Sequence, residues 1–165
     1  METYQLEKAL RHDGCLSAMP HSGVLAADEL HLVTDPGAYI INTDPSHLPG
    51  QHWLALFICR TGFLEVFDSQ GYHPHHYPFL TDYLKGRRFN YNSNRWQNVG
   101  TATCGQFSLL YLYHRCRGWS LPQMTEFYWN AELARNEHMV SLFMKHYFPT
   151  IPSCKTSQCA GICLS

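Results

Sequence analysis

The chain has 165 residues, 45% of them hydrophobic and 14% aromatic, with 12 Lys and Arg set against 13 Asp and Glu. That is enough apolar material for one buried core, so a single domain over residues 1–152 is expected, and the near-balanced charge excludes a composition built to grip a polyanion such as DNA. No run approaches the roughly 18 uninterrupted apolar residues of a membrane-spanning helix, and the start METYQLEKAL is amphipathic rather than charged-then-apolar, so an intracellular, non-secreted, monomeric protein is expected.

Residues 2–11 place Leu6, Ala9 and Leu10 on one helical face and end near Asp13 and Gly14, which predicts a short first helix. Residues 37–42 (GAYIIN), bounded by Asp35-Pro36 and Asp44-Pro45, read as a strand. After the Pro49-Gly50 turn, residues 52–58 (HWLALFI) are apolar on both faces, the mark of a central strand. Residues 60–62 reverse the chain, and residues 63–67 (FLEVF) read as its antiparallel partner, ending at Asp68. Between residues 71 and 97, Tyr83 and Leu84 suggest a short helix and Phe89 a further strand; Lys85 to Arg88 reads as a solvated loop. Phe107, Leu110, Tyr111 and His114 recur at helical spacing, so a buried helix is expected from Thr103 or Cys104 to about Arg117, closed by Gly118. Two more helices are expected over 122–133 and 136–147, the second capped by Asn136. Residues 153–165 read as a flexible tail carrying Cys154, Cys159 and Cys163.

Three of these features fall where one active site needs them. In a hairpin turning at residues 60–62, the start of one strand lies beside the end of the other, so His52 and Asp68 come within reach. A carboxylate accepting one ring N–H fixes the tautomer and leaves the other nitrogen for a nucleophile. Cys104 opens a helix, where unpaired N–H groups and the dipole stabilise a thiolate, and Gly105 removes bulk behind it. The Cys104 N–H can face an oxyanion, with the Gln97 amide, seven residues upstream, as second donor. Each residue also has an ordinary reading: a structural histidine, an Asp68-Ser69 turn, a core cysteine.

The order His52-Trp53, Asp68, Gln97, Cys104-Gly105 resembles the adenain family, the adenovirus endopeptidases, within the superfamily that includes the deSUMOylating proteases of ubiquitin-like proteins. The seven-residue step from Gln97 to Cys104 is closer to adenain, as are residues 23–26, 52–55 and 67–71, and the resemblance covers about residues 5–118. It implies an α+β fold, with a central, mostly antiparallel sheet packed against the helix bearing Cys104. It also implies a thiol endopeptidase with Cys104 as nucleophile, His52 as base and Gln97 with the Cys104 N–H as oxyanion hole. Trp53 lines the substrate channel beside His52 in such enzymes, or belongs to the core. The implied substrates are structural precursors of a virus or virus-like transposon, the implied setting virion maturation in the host nucleus, and an activating viral peptide is compatible with it. Asp68 departs from adenain's Glu and is shared with the ubiquitin-like-protein proteases. No basic insert separates the acid from Gln97, which argues against activation by DNA.

Two readings compete: a deubiquitinating or deSUMOylating isopeptidase, and an idle binding module on the same fold, against which the complete residue set argues. Cys154, Cys159 and Cys163, with His146, invite a zinc reading, but their spacing lacks paired Cys-x-x-Cys knuckles and favours free thiols or a disulfide to a partner. His73, His75 and His76 straddle Pro74 without an acidic companion and are expected at the surface. No metal or other cofactor is expected. The seven cysteines form no repeating framework and read as free thiols in a reducing compartment.

Overall fold

The computed structural model describes residues 1–151; the tail cysteines and their zinc or thiol readings lie outside them. A five-stranded sheet runs in sequence order: β1 (Ser22–Leu25), β2 (Gly37–Asn42), β3 (Trp53–Ile58), β4 (Leu64–Phe67) and β5 (Phe89–Tyr91). β3 takes the centre because both its faces are apolar. Trp53, Ala55 and Phe57 pack on one side into the larger core, while Leu54, Leu56 and Ile58 enter a second cluster with Leu80 and Leu84. Every residue of β2, β3 and β4 is buried.

The architecture is α+β with a central antiparallel sheet, as expected, and both edges of that sheet are parallel. β2, β3 and β4 pair antiparallel, whereas β1–β2 and β4–β5 are parallel. Parallel edges need crossovers, and the chain supplies them: a 3₁₀ turn, Ala27–Leu32, before β2, and α3 (Pro78–Leu84) before β5. β1 was not predicted, because four residues including Gly23 carry almost no periodicity; it forms by docking on β2.

α1 (Thr3–His12) and α2 (Gly14–Ser17) precede the sheet, and α4 (Cys104–Cys116) packs on β3. Apolar almost all round, α4 buries Phe107, Leu109, Leu110, Tyr111 and Leu112. One polar clamp ties it to β4: Glu65 Oε2 accepts from Tyr111 Oη at 2.7 Å and from Arg115 Nε at 2.6 Å. The Tyr111 ring stacks on Phe67 at 4.8 Å between centroids.

Two helix boundaries differ from expectation. α5 (Leu121–Tyr128) stops before 133, at Trp129, whose indole N–H donates to the Arg95 carbonyl at 2.8 Å. α6 (Leu133–Tyr147) begins before Asn136, which is no cap. Fully buried inside the helix, Asn136 donates to the Trp96 and Asn130 carbonyls and accepts the Asn130 N–H, tying two loops to α6. Among the described residues no helix is long and apolar enough to cross a membrane.

Candidate active site

His52 immediately precedes β3 and Asp68 immediately follows β4, so the antiparallel register that sets Ala55 opposite Phe67 brings them together. His52 Nε2 lies 2.7 Å from Asp68 Oδ1, and the two residues are 6% and 2% exposed. Asp68 is held from several directions. Its carboxylate also accepts the Gln70 N–H at 2.8 Å, the Tyr77 hydroxyl at 2.8 Å and the Tyr72 N–H at 3.3 Å. Asn92 brackets its backbone, accepting the Asp68 N–H and donating to the Asp68 carbonyl. With Nε2 committed to Asp68, the remaining ring nitrogen, Nδ1, is the one left for a nucleophile.

Nδ1 is buried and has no partner at hydrogen-bonding geometry. The Cys104 thiol is the neighbour whose charge and hydrogen-bonding capacity act on that ring, so the two groups are adjacent without a well-formed bond between them. Burial opposes charge on His52, but the Asp68 hydrogen bond and then Cys104 outweigh it and carry the imidazolium up to about 10. Burial likewise opposes a thiolate at Cys104, and His52, the Trp53 backbone N–H and the nearby amino terminus overcome it, so the thiol lies below its ordinary value. The two shifts favour a thiolate–imidazolium pair. α4 adds to this by leaving its start open: Thr103 makes no side-chain cap and the first turn holds no acidic residue.

The Gln97 loop is stitched to the acid-bearing turn. The Ser69 carbonyl accepts the Trp96 and Gln97 backbone N–H groups at 2.8 and 2.9 Å, and Ser69 Oγ donates to Gln97 Oε1 at 2.7 Å. Gly71 makes that approach possible: its φ is +74°, and a Cβ there would sit 2.8 Å from backbone atoms of Asn94 and Arg95. Gln97 Nε2 donates one hydrogen to the Thr101 carbonyl at 2.5 Å, and its second hydrogen is the candidate oxyanion donor.

Glu137, on α6, was not foreseen. Its Oε1 accepts from the Asn98 N–H at 3.0 Å, Thr101 Oγ1 at 2.7 Å and Thr103 Oγ1 at 3.0 Å. A single carboxylate oxygen therefore holds the loop that separates Gln97 from Cys104. Glu137 precedes no motif and lies more than 30 residues from its partners; nothing local in the sequence signals it.

Gly105 and Trp53 fall as expected beside Cys104. A Cβ on Gly105 would meet Leu6 and Met1 at 3.3 Å and the Trp53 ring at 3.4 Å, so glycine lets α1 and the indole close over the start of α4. Trp53 belongs to the core and also borders a cavity at Cys104. The residue is only 9% exposed and packs in the core, yet with Cys104, Asn42 and Gly50 it lines a cavity of about 80 Å³. An adjoining groove of about 200 Å³ continues past Trp53 toward Leu25 and Leu48. A larger cavity, about 630 Å³, lies at Arg117, Trp119 and Phe127 and contains none of these groups.

Among the described residues no three His, Cys, Asp or Glu side chains gather to hold a metal ion. The His73–His76 segment makes ring contacts instead, His73 with Tyr91 and His76 stacked on Tyr72.

Comparison with solved structures decides the fold. The ASFV pS273R protease superposes with a TM-score of 0.52 at 17% identity, over 82% of this chain and 64% of that one. The chain has the fold of that protease. Its selenomethionine form gives 0.50 at 18% identity, over 82% and 65%. The central domain of an uncharacterised Legionella pneumophila protein gives 0.50 at 14% identity, over 92% and 97%. The chain thus spans less than two thirds of the ASFV protein. No protein-family model matches the sequence, and no curated protein matches it.

Proposed function

We propose that the chain is a cysteine endopeptidase of adenain type, with Cys104 as nucleophile, His52 as general base and then acid, Asp68 as its orienter, and Gln97 with the Cys104 N–H as oxyanion hole. The observation that carries this is the buried 2.7 Å contact of His52 with Asp68, which turns the ring's other nitrogen toward the cysteine that opens α4. The fold likeness to a viral protease supports it, and so does the adenain-like spacing.

The chemistry follows from the groups in place. The Cys104 thiolate adds to the scissile carbonyl carbon, and the resulting oxyanion takes hydrogen bonds from Gln97 Nε2 and the Cys104 N–H. His52 Nδ1–H protonates the leaving amine as the C–N bond breaks, leaving a thioester. Water then attacks the thioester while Nδ1 removes its proton, and collapse of the second oxyanion expels the thiolate and frees the carboxylic acid. Substrates in this reading are viral structural precursors, cut during virion maturation in the host nucleus.

A second reading, removal of a ubiquitin-like modifier, is favoured by the small cavity walled by Trp53 and Gly50, which suits a glycine pair better than bulky side chains, and by Asp68 in place of adenain's Glu. Two probes separate them: a peptide library with small residues near the cleavage site, and a modifier carrying a thiol-trapping C-terminus. Peptide cleavage that disappears in Cys104→Ala supports the endopeptidase. Capture of the modifier without peptide cleavage selects the deconjugating reading, and retained cleavage in Cys104→Ala overturns the assigned nucleophile.

A further inference from the structure

Cys15 and Cys116 sit where α2 meets the last turn of α4, Cys116 lying twelve residues from Cys104 and therefore about 18 Å along the helix. Asp13 Oδ1 caps α2, accepting the Cys15 N–H at 3.1 Å, and accepts Arg117 Nη1–H at 3.2 Å. The same Arg117 nitrogen lies 3.3 Å from Cys116 Sγ, and Nη2 completes the ion pair on Asp13 Oδ2 at 2.8 Å. One carboxylate and one guanidinium thus hold the backbone of Cys15 and the sulfur of Cys116 on neighbouring atoms. Cys116 Sγ donates to the Tyr113 carbonyl at 3.2 Å, and burial, followed by the neighbouring Cys15 thiol, keeps the proton on Cys116. Both cysteines are free and partly exposed. The other described cysteines lack this setting: Cys59 bonds Thr61 Oγ1, and Cys104 faces His52.

We propose that Cys15 and Cys116 form a redox site that closes to an intramolecular disulfide by exchange with a small disulfide such as oxidised glutathione. The Cys15 thiolate attacks one glutathione sulfur, the S–S bond breaks, and the first glutathione leaves as a thiolate that takes up a proton. Cys116 gives its proton to water and attacks the Cys15 sulfur, expelling the second glutathione. Two protein thiols are oxidised and one glutathione disulfide is reduced to two thiols, so atoms and electrons balance. Arg117, beside Cys116 Sγ, favours the thiolate this second step requires. The product pins the α1–α2 hairpin to α4, and α1 is the element whose Leu6 abuts Gly105 beside the nucleophile.

The test uses the full chain equilibrated in reduced and in oxidised glutathione, with remaining thiols blocked in acid, digestion without reductant and mass spectrometry of the peptides. The expected result is a Cys15–Cys116 linked peptide in the wild type and in Cys104→Ser alike. Oxidation should also raise Tm by about 5–10 °C, an increase absent in Cys15→Ser. Glutathione retained singly on either residue, linkage of either to another cysteine, or no linkage at all in the oxidised wild type overturns the proposal, and the wild-type map needs no variant to fold. Cys15→Ser leaves peptide hydrolysis unchanged under reducing conditions, so failure here is separable from failure of the proposed activity.

Discussion

The two halves of the site are held by different means. His52 and Asp68 hang from the ends of adjacent, fully buried strands, so the backbone ladder sets them opposite each other before bonds from Asn92 and Tyr77 fix Asp68. Gln97 and the residues leading to Cys104 lie in a loop with no ladder, and side-chain bonds from Ser69, Thr101, Thr103 and Glu137 fix it. The His52–Asp68 side is therefore set first by topology, and the Gln97 side by a polar network that single substitutions can loosen. Losses on the first side should be chemical, whereas losses on the second should be partly conformational.

The largest effect should come from Asp68→Asn, which keeps the shape but removes the charge that orients and stabilises His52. Turnover of peptide should fall about 10⁴-fold, as for other triads that lose the carboxylate. The pH profile sharpens the point. The active pair needs the thiolate, lost as pH falls through the lowered Cys104 value, and the imidazolium, lost as pH rises through about 10. Because the Asp68 bond raises His52, the alkaline limb should move to lower pH in Asp68→Asn; a limb that stays put would remove Asp68 from this role.

Gln97→Ala should cost less, about 10²- to 10³-fold in kcat with KM little changed, the loss of one oxyanion donor. An equal fall in both variants would mean that Gln97 does more than donate. Smallest is Glu137→Gln, which retains volume but weakens three bonds accepted by one oxygen. About a 10-fold fall in kcat is expected, of the size seen when an outer hydrogen-bonding partner is lost. Proteolytic nicking of the 98–103 loop should increase while the alkaline limb of the pH profile stays in place. A shifted limb would show that Glu137 acts on His52 and would erase the division between the halves.

The same division explains what the sequence disclosed. A hairpin turning at Gly62 puts residue 52 beside residue 68 by register, so the proximity of His52 and Asp68 follows from strand patterning. Cys104 follows from the helix it opens. Gln97 is legible only as an amide seven residues upstream of Cys104, which the family spacing then supports, because a loop has no period to read. Glu137 was not placed at all, since its contacts cross from α6 to a segment 34 to 39 residues earlier. Asn136 misled for a related reason: a polar residue before an apolar run suggests a cap, whereas here its amide serves two distant carbonyls. The parallel edges of the sheet were equally hidden, as pairing direction depends on crossovers rather than on any strand's own pattern.

The Glu65 clamp has a mechanical consequence. α4 offers apolar side chains in almost every direction, so greasy packing alone sets its distance from the sheet more firmly than its rotation about its own axis. Advancing such a shaft by one residue turns it about 100° and would swing Cys104 away from His52. Tyr111 and Arg115 converging on one carboxylate of β4 act as the key that stops the shaft from turning, about two and three helical turns from the thiol whose aim they preserve.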